Sequence, residues 1–259
     1  MILKSIVVLI GLLWLGFIVN EAFAEEPILV LESEAFHDID GKWTFVSEWK
    51  EAADIQLSYD NGGKLILRIT HDRNYIHVLV DHLGDISANK GEDRATLCLN
   101  GNSKNTKPEK DDYCFIVTLG RMNPVVLQGG SPSVIKSNFK RIFETGFEGM
   151  SDVTVTDRYS VIPHVTYEFK IPVDLVGRSN EYQFYVAVYE SQNDYVLTWP
   201  KYITLKNNFV IPPSSNWGTI ISPDKSLPEF HFLYFVFFIP FLMMVILRMK
   251  RWRKLVNLV

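Results

Sequence analysis

Two runs of alternating apolar and polar residues, 64–70 and 75–81, form the strongest pattern in the chain. In both runs an apolar residue occupies every second position, namely Leu65, Leu67, Ile69, Ile76, Val78 and Val80. A period of two with one more apolar face predicts half-buried strands. The polar link 71–74 between them predicts a hairpin. One hairpin buries too little apolar surface to be stable, so we expect further strands to cover its apolar face.

Other strand-like runs follow along the chain, and no segment between residues 25 and 222 shows a sustained helical period. We predict strands at 28–31 (a short edge strand), 95–100, 112–119, 153–161, 164–172, 182–190, 195–199 and 217–222. The run 182–190 is the most apolar, which predicts a central strand. Residues 120–151 are the least regular part and could line a binding face. The predicted fold class is all-β.

The first 24 residues are typical of an export signal. Lys4 gives a positive start, an apolar run follows from Ile6 to Val19, and Ala22-Phe23-Ala24 matches a small-x-small cleavage site. The alternative is an uncleaved anchor helix. Under either interpretation we expect residues 25–222, the main domain, to lie outside the cytoplasm.

The other end of the chain predicts a membrane anchor. After a linker at 223–229, residues 230–247 carry no charge and are long enough for one transmembrane helix. The basic tail 248–259 predicts a cytoplasmic C-terminus. We therefore expect the protein in the cell membrane, with its domain extracellular. Pro228-Glu229-Phe230, the apolar run and the basic tail also resemble the PEF-type sorting signals of archaeal surface proteins, although His231 replaces their usual Gly.

Charge and motifs exclude some functions. Residues 25–247 hold 20 Lys and Arg against 29 Asp and Glu. This acidic balance argues against nucleic acid as a partner, because nucleic-acid binding rests on neutralising phosphates. The sequence holds no Gly-x-Ser-x-Gly, no His-Glu-x-x-His, no phosphate loop and no Cys/His metal cluster. We therefore predict a protein that is not an enzyme.

Several short motifs in a fixed order resemble one family. They are Asp40-Gly41-Lys42-Trp43, Glu48-Trp49 with Ala52, the strand 75–81, the run 92–100, the strand 167–172 with its Glu-x-x-Ile-Pro pattern, Trp199-Pro200 and Trp217-Gly218. Together, over about residues 34–222, they are similar to the family 9 carbohydrate-binding modules and their DOMON-like relatives. The resemblance implies a β-sandwich, often with sugar bound by stacked aromatic rings and sometimes with structural calcium. In DOMON-like relatives it implies haem binding instead.

The two tryptophans near the start of this region allow two interpretations. Trp43 and Trp49 lie six residues apart in an otherwise polar stretch. Their rings could close the end of a sandwich core, or they could contact a ligand.

The only two cysteines, Cys98 and Cys114, lie in neighbouring strand-like runs joined by the polar segment 101–111. In an exported domain such a pair is a candidate for a disulfide. Closing a loop of this size would contribute about 3 kcal/mol on the chain-entropy estimate. The alternative is two free thiols in the core.

The resemblance to carbohydrate-binding modules directs attention to aromatic side chains in loops and at strand ends. A ring face can stack on the apolar face of a pyranose while polar neighbours bind the hydroxyls. The candidates for glycan contact are Trp199, Tyr113, Tyr159 and Tyr195. The alternative for each is a place in the core.

No cofactor is certain from the sequence. Calcium, which prefers oxygen ligands, could bind near Glu92, Asp93 and Asn100. Haem would need axial ligands such as His164, Met122 or Met150. The sequence thus predicts a membrane-anchored, glycan-binding surface domain. A DOMON-like haem or redox module and a structural envelope protein without a small ligand are the alternatives.

Overall fold

A computed structural model describes residues 26–101, 104–131, 138–143, 145–154, 158–201 and 210–222. Within these ranges no helix is long and apolar enough to cross a membrane. The predicted export signal, the linker, the predicted transmembrane segment at 230–247 and the basic tail all lie outside the described residues.

Strands make up almost all the regular structure of the described ranges. They are β1 (Ile28–Leu29), β2 (Ala53–Ser58), β3 (Lys64–His71), β4 (Tyr75–His82), β5 (Arg94–Asn100), β6 (Tyr113–Thr118), β7 (Val125–Gln128), β8 (Lys140–Ile142), β9 (Glu148–Thr154), β10 (His164–Pro172), β11 (Glu181–Glu190), β12 (Tyr195–Trp199) and β13 (Gly218–Ile221). One turn of helix, α1 (Val173–Val176), follows β10, and a 3-10 turn covers Ser214–Asn216.

The strands form two sheets. The eight-stranded sheet has the order β1-β13-β11-β5-β6-β7-β8, with β12 also paired to β11. The five-stranded sheet has the order β2-β3-β4-β10-β9. Pairing is antiparallel except between β1 and β13, which run parallel. The predicted all-β class is confirmed, and the two sheets form a sandwich.

The core lies between the sheets and contains the residues that the hairpin pattern predicted. Leu65, Leu67 and Ile69 on β3 and their alternating counterparts on β4 are fully or almost fully buried there. Strand β11 pairs with β5 on one side and with β12 and β13 on the other. It is therefore the central strand that its apolar sequence predicted.

One predicted strand is wrong. The sequence predicts an extended run at 153–161, but the strand at this place is β9, which ends at Thr154. Its partner β10 begins at His164, which lies opposite Thr154 in the antiparallel register. The described residues 158–163 form no strand and lie in the connection before β10. β9 itself is mostly polar, so its sequence does not show the alternation that marks the other strands.

The hairpin is buried on both faces, not on one as its sequence predicted. Residues 33–51, which we call the overlay segment, cover the outer face of the five-stranded sheet. Trp49 of this segment is fully buried and packs with Ala52 and with Leu79 of β4. Trp49 thus does not close the end of the inner core but builds a second, smaller core outside the sheet.

The predicted disulfide is confirmed. Cys98 on β5 lies directly opposite Cys114 on β6, and their sulfur atoms are bonded at 2.03 Å. The bridge lies on the outer face of the eight-stranded sheet, in a buried cluster with Tyr185 and Trp217. It links two adjacent strands beneath a covered surface.

Candidate functional site

Glu168 on β10 anchors the overlay segment to the five-stranded sheet. Its Oε2 accepts hydrogen bonds from the backbone N–H groups of Gly41, at 2.8 Å, and Asp40, at 3.0 Å. Its Oε1 accepts one from Trp49 Nε1 at 3.1 Å. Burial raises the pKa of Glu168 well above its ordinary value, and the hydrogen bonds from Gly41 and Trp49 oppose that shift. The Asp-Gly-x-Trp, Glu-Trp and Glu-x-x-Ile-Pro motifs therefore meet at one carboxyl group.

Gly41 is required where the overlay segment meets the sheet. Its φ is +87°, a conformation that L side chains rarely adopt. A Cβ atom at this position would lie 2.5 Å from the backbone N of Asp152 and from the backbone C of Ser151. Glycine therefore permits the close approach that brings its N–H to Glu168.

Glu48 shapes the rest of the loop. Its Oε1 accepts a hydrogen bond from the N–H of Asp38, and its Oε2 accepts one from the N–H of Thr44, each at 2.8 Å. Trp43 Nε1 donates to the carbonyl of Phe45 at 2.8 Å. These bonds hold the Trp43 ring at the surface, where it is half-buried.

Trp43 belongs to a surface group that we call the aromatic–arginine cluster, which consists of Trp43, Asp54, Arg68, Arg158 and Tyr159. The rings of Trp43 and Tyr159 are both half-buried, lie 6.3 Å apart and are tilted by 56°. The Arg68 guanidinium carbon lies 5.3 Å from the Trp43 ring centre and 5.6 Å from that of Tyr159. Two rings and a guanidinium group therefore converge on one surface position.

The pairing of β2 with β3 brings together two charged residues of this cluster, Asp54 and Arg68. Asp54 on β2 lies directly opposite Arg68 on β3, and the Asp54 Oδ2 to Arg68 Nη2 distance is 2.7 Å. Arg68 also donates to the carbonyl of Ala52 at 3.3 Å and bonds the Tyr159 hydroxyl. That hydroxyl donates to Asp54 at 3.2 Å. Burial raises the pKa of Tyr159, so the hydroxyl stays protonated at neutral pH.

Arg158 completes the cluster from the solvent side. Its side chain is exposed, and its guanidinium carbon lies 4.9 Å from the centre of the Trp43 ring. One of its Nη atoms donates to the carbonyl of Val46 at 3.3 Å. The cluster thus presents aromatic surface, the Asp54 carboxylate and the exposed Arg158 guanidinium group, with the buried Arg68 behind them. This is the mixture of apolar platform and directed polar groups that small-molecule sites use.

Of the four aromatic residues predicted to contact glycan, the structure brings only Tyr159 into this cluster. Trp199 is 1% exposed and packs against Phe184, with ring centres 5.4 Å apart, and against Gly218. It lies in the core and offers no exposed ring face, because the sheets close over both its sides. The core interpretation of Trp199, one of the two that the sequence left open, fits this position.

The other two predicted tyrosines lie elsewhere. Tyr113 on β6 is half-buried, and its hydroxyl accepts a hydrogen bond from Gln128 Nε2 at 2.9 Å. Tyr195 on β12 is half-buried beside His82, and burial raises the pKa of Tyr195 to about 12, with Glu190 adding to the shift. The predicted set is therefore not one site.

The residues suggested for calcium do not converge either. Asp93 and Asn100 lie at opposite ends of β5, about 20 Å apart at the rise of a strand. Glu92 is exposed. Asp93 instead accepts hydrogen bonds from Ser191, and Asn100 bonds Asp112. In the described ranges no three His, Cys, Asp or Glu residues are grouped so that they could hold a metal ion.

The residues suggested as haem ligands are also apart. Both ring nitrogens of His164 have partners, Nε2 at 2.7 Å from Asp81 and Nδ1 at 2.6 Å from the carbonyl of Ile162. Met122 is exposed in the connection between β6 and β7, whereas Met150 is half-buried on β9 of the other sheet.

A buried acidic group that the sequence analysis missed lies at one end of the sandwich. Asp85, Asp93 and Glu190 are each at most 1% exposed, and loop N–H and hydroxyl groups bind all three. Burial raises the pKa of Asp85 and lowers the pKa of the nearby His82 to about 4. The sequence analysis singled out Asp93 but not its neighbours, because Glu190 lies about 100 residues further along the chain and Asp85 belongs to no motif. The three carboxylates shape the loops after β4 and β11.

Comparison with solved structures identifies the fold of this two-sheet sandwich. The fold is that of the β-sandwich modules of carbohydrate-binding family 9. Two solved structures that are similar to this chain each show a family 9 carbohydrate-binding module from Caldicellulosiruptor kristjanssonii with a bound sugar. The complex with cellotriose has a TM-score of 0.52 and covers 76% of this chain and 93% of the module. The complex with glucose has a TM-score of 0.51 and covers 76% and 95%.

Sequence identity to both is 14%, so the likeness is one of fold. Comparison of the sequence with protein-family models and with curated proteins gives no match.

Proposed function

We propose that this chain is a carbohydrate-binding protein and that the aromatic–arginine cluster is its sugar site. The observation that carries the proposal is the pair of half-buried rings, Trp43 and Tyr159, which meet at 56° beside the Asp54–Arg68 ion pair. A pyranose has an apolar C–H face that packs on aromatic rings, and hydroxyl groups that pair with carboxylate and guanidinium. The family 9 fold, seen elsewhere with cellotriose and glucose bound, supports the same class of ligand.

We also propose that the protein binds sugar without hydrolysing it. Glycoside hydrolysis ordinarily uses two carboxyl groups that flank the bond to be broken. Asp54 is the only carboxylate among the five residues of the cluster, and Arg68 holds it in an ion pair at 2.7 Å. The sequence also lacks the common catalytic motifs.

For the location, we retain the proposal of an exported domain on a membrane anchor. It is supported by the export-signal pattern in residues 1–24 and by the uncharged segment 230–247 with its basic tail. A disulfide within the domain fits an oxidising compartment outside the cytoplasm.

Substitution of Trp43 tests the sugar site. We expect the full-length protein, purified in detergent, to bind cello-oligosaccharides in isothermal titration calorimetry. Trp43→Ala should weaken that binding about tenfold or more, because an aromatic contact contributes about 0.5–1.5 kcal/mol beyond the area that it buries. The thermal midpoint should change much less than for a fully buried tryptophan.

Tyr189→Ala provides a matched control. Tyr189 is also half-buried beneath an arginine, with the Arg94 guanidinium carbon 4.4 Å from its ring centre, but it lies on the other sheet. Its removal should leave sugar binding unchanged. Wild-type protein that binds no glycan in a broad panel, or a Trp43→Ala variant that binds as tightly as wild type, would contradict the proposal.

A further inference from the structure

The aromatic–arginine cluster carries one more positive charge than its carboxylate neutralises. Arg68 is paired with Asp54. Arg158 stacks on Trp43 and donates to the carbonyl of Val46, and no described carboxylate lies within 4.0 Å of it. A guanidinium group has five N–H donors, and among the described residues only the Val46 carbonyl accepts a hydrogen bond from Arg158.

The position of Arg158 matters more than its charge alone. Two guanidinium carbons lie close to the centre of the Trp43 ring, that of the buried Arg68 at 5.3 Å and that of the exposed Arg158 at 4.9 Å. A sugar that packs on this ring must therefore share its surface with Arg158 or displace it. If Arg158 gives up its contact with the Trp43 ring to bind a neutral hydroxyl, it gains only a weak hydrogen bond. A carboxylate instead offers it a planar acceptor for two parallel hydrogen bonds.

We propose that the cluster selects acidic sugars, and that Arg158 binds the carboxylate of a uronic acid whose ring packs against Trp43 and Tyr159. This inference rests on the proposed function, because it names the chemical class of ligand for the same site. The exposed Asp54 would bind hydroxyl groups in this arrangement, held in place by the buried Arg68, since the charges of the two already balance each other.

The experiment compares sugars that differ only in this group. The full-length protein in detergent is titrated with matched pairs, such as galacturonate and galactose trisaccharides, at low and high salt, and with a sulfated trisaccharide. We expect the uronate to bind about tenfold more tightly than its neutral counterpart, the equivalent of about 1.4 kcal/mol. The preference should shrink as salt rises, because Arg158 is exposed and its pair with the ligand is screened.

Variants of Arg158 assign the preference to this residue. Arg158→Ala should remove the preference, so that the uronate binds no more tightly than its neutral counterpart, and Arg158→Lys should restore part of that preference. Arg141→Ala is the matched control, because Arg141 is also exposed and stacks on an exposed ring, that of Phe143 at 5.0 Å, away from the cluster. It should leave both affinities as in wild type.

Each other outcome overturns a specific claim. Equal binding of acidic and neutral sugars, or a uronate preference that survives Arg158→Ala, refutes the selectivity and leaves the proposed function intact. Loss of neutral and acidic binding together in Arg158→Ala makes Arg158 a general sugar contact and also refutes it. Tighter binding of the sulfated sugar than of the uronate refutes the assignment to a carboxylate. A wild-type protein that binds no sugar refutes the proposed function itself.

Discussion

Replacement of Gly41 by alanine should detach the overlay segment from the five-stranded sheet. The new Cβ would lie 2.5 Å from two backbone atoms, of Ser151 and Asp152, and neither can rotate away. The segment must therefore lift by roughly 1 Å, which stretches the hydrogen bonds of 2.8 and 3.0 Å to Glu168 beyond bonding distance. Each lost hydrogen bond to this buried carboxyl costs about 1.5–3 kcal/mol. We expect a total loss of about 3–5 kcal/mol.

Gly62→Ala is the control that measures the cost of a positive φ without a steric clash. Gly62 has nearly the same φ, +85°, but no atom lies within 4 Å of the position that a Cβ would take there. Alanine at this position costs about 1–2 kcal/mol of left-handed strain, offset by about 0.4–1 kcal/mol from the stiffer unfolded chain. The net loss should be about 1 kcal/mol or less.

Thermal unfolding of the two variants, followed by circular dichroism, measures the difference. At about 2–4 °C per kcal/mol for a protein of this size, Gly41→Ala should lower the midpoint by about 6–20 °C and Gly62→Ala by about 4 °C or less. Gly41→Ala should also weaken sugar binding, because Trp43 follows two residues later. Equal midpoints for the two variants would show that the contact with Ser151 and Asp152 does not hold the segment.

Three further predictions follow from buried groups. Trp199→Ala should destabilise the protein by about 3–5 kcal/mol in denaturant unfolding, the usual cost of truncating a core tryptophan; a change in sugar binding at full stability would contradict its core position. Reduction of the Cys98–Cys114 disulfide should lower stability by about 3 kcal/mol, and an unchanged midpoint with reductant would contradict this. Burial holds the pKa of His37 and His82 at about 4, below the ordinary 6.5. The unfolded chain therefore takes up protons first at these two positions, which lowers the free energy of unfolding between pH 6.5 and 4 by up to about 3 kcal/mol per histidine, whereas the raised pKa values of Glu168 and Asp85 act in the opposite direction. His37→Gln and His82→Gln should therefore each reduce the loss of stability toward low pH, and variants with the pH profile of wild type would refute this.

Local patterns were sufficient to predict the hairpin, the disulfide and the central strand. Alternation identifies the inward face of β3 because only the residues facing the other sheet must be apolar. It did not predict that the outward face is buried as well. That burial depends on a hydrogen bond between Gly41 and Glu168, which are 127 residues apart in the chain.

The candidate site depends on register, which the sequence does not specify. Arg68 and Asp54 form a pair only because β2 and β3 align these two positions, and one residue of slip would place them on opposite faces. Arg158 belongs to a run that the sequence predicted as strand, whereas it lies in the connection that reaches over Trp43. For Trp199 the sequence left two positions open, because an indole at a strand end can face either the solvent or the core.

The parallel pairing of β1 with β13 has a consequence for the order in which the chain can fold. Protein synthesis runs from the N-terminus, so Ile28 and Leu29 emerge some 190 residues before their partners Ile220 and Ile221. Until the last strand arrives, β1 has no edge to join, and the edge of β11 that β13 will cover stays open along Glu181–Phe184. Contacts between such distant parts of a chain form slowly. That edge of β11 is therefore open to pairing with another chain until residue 221 has left the ribosome.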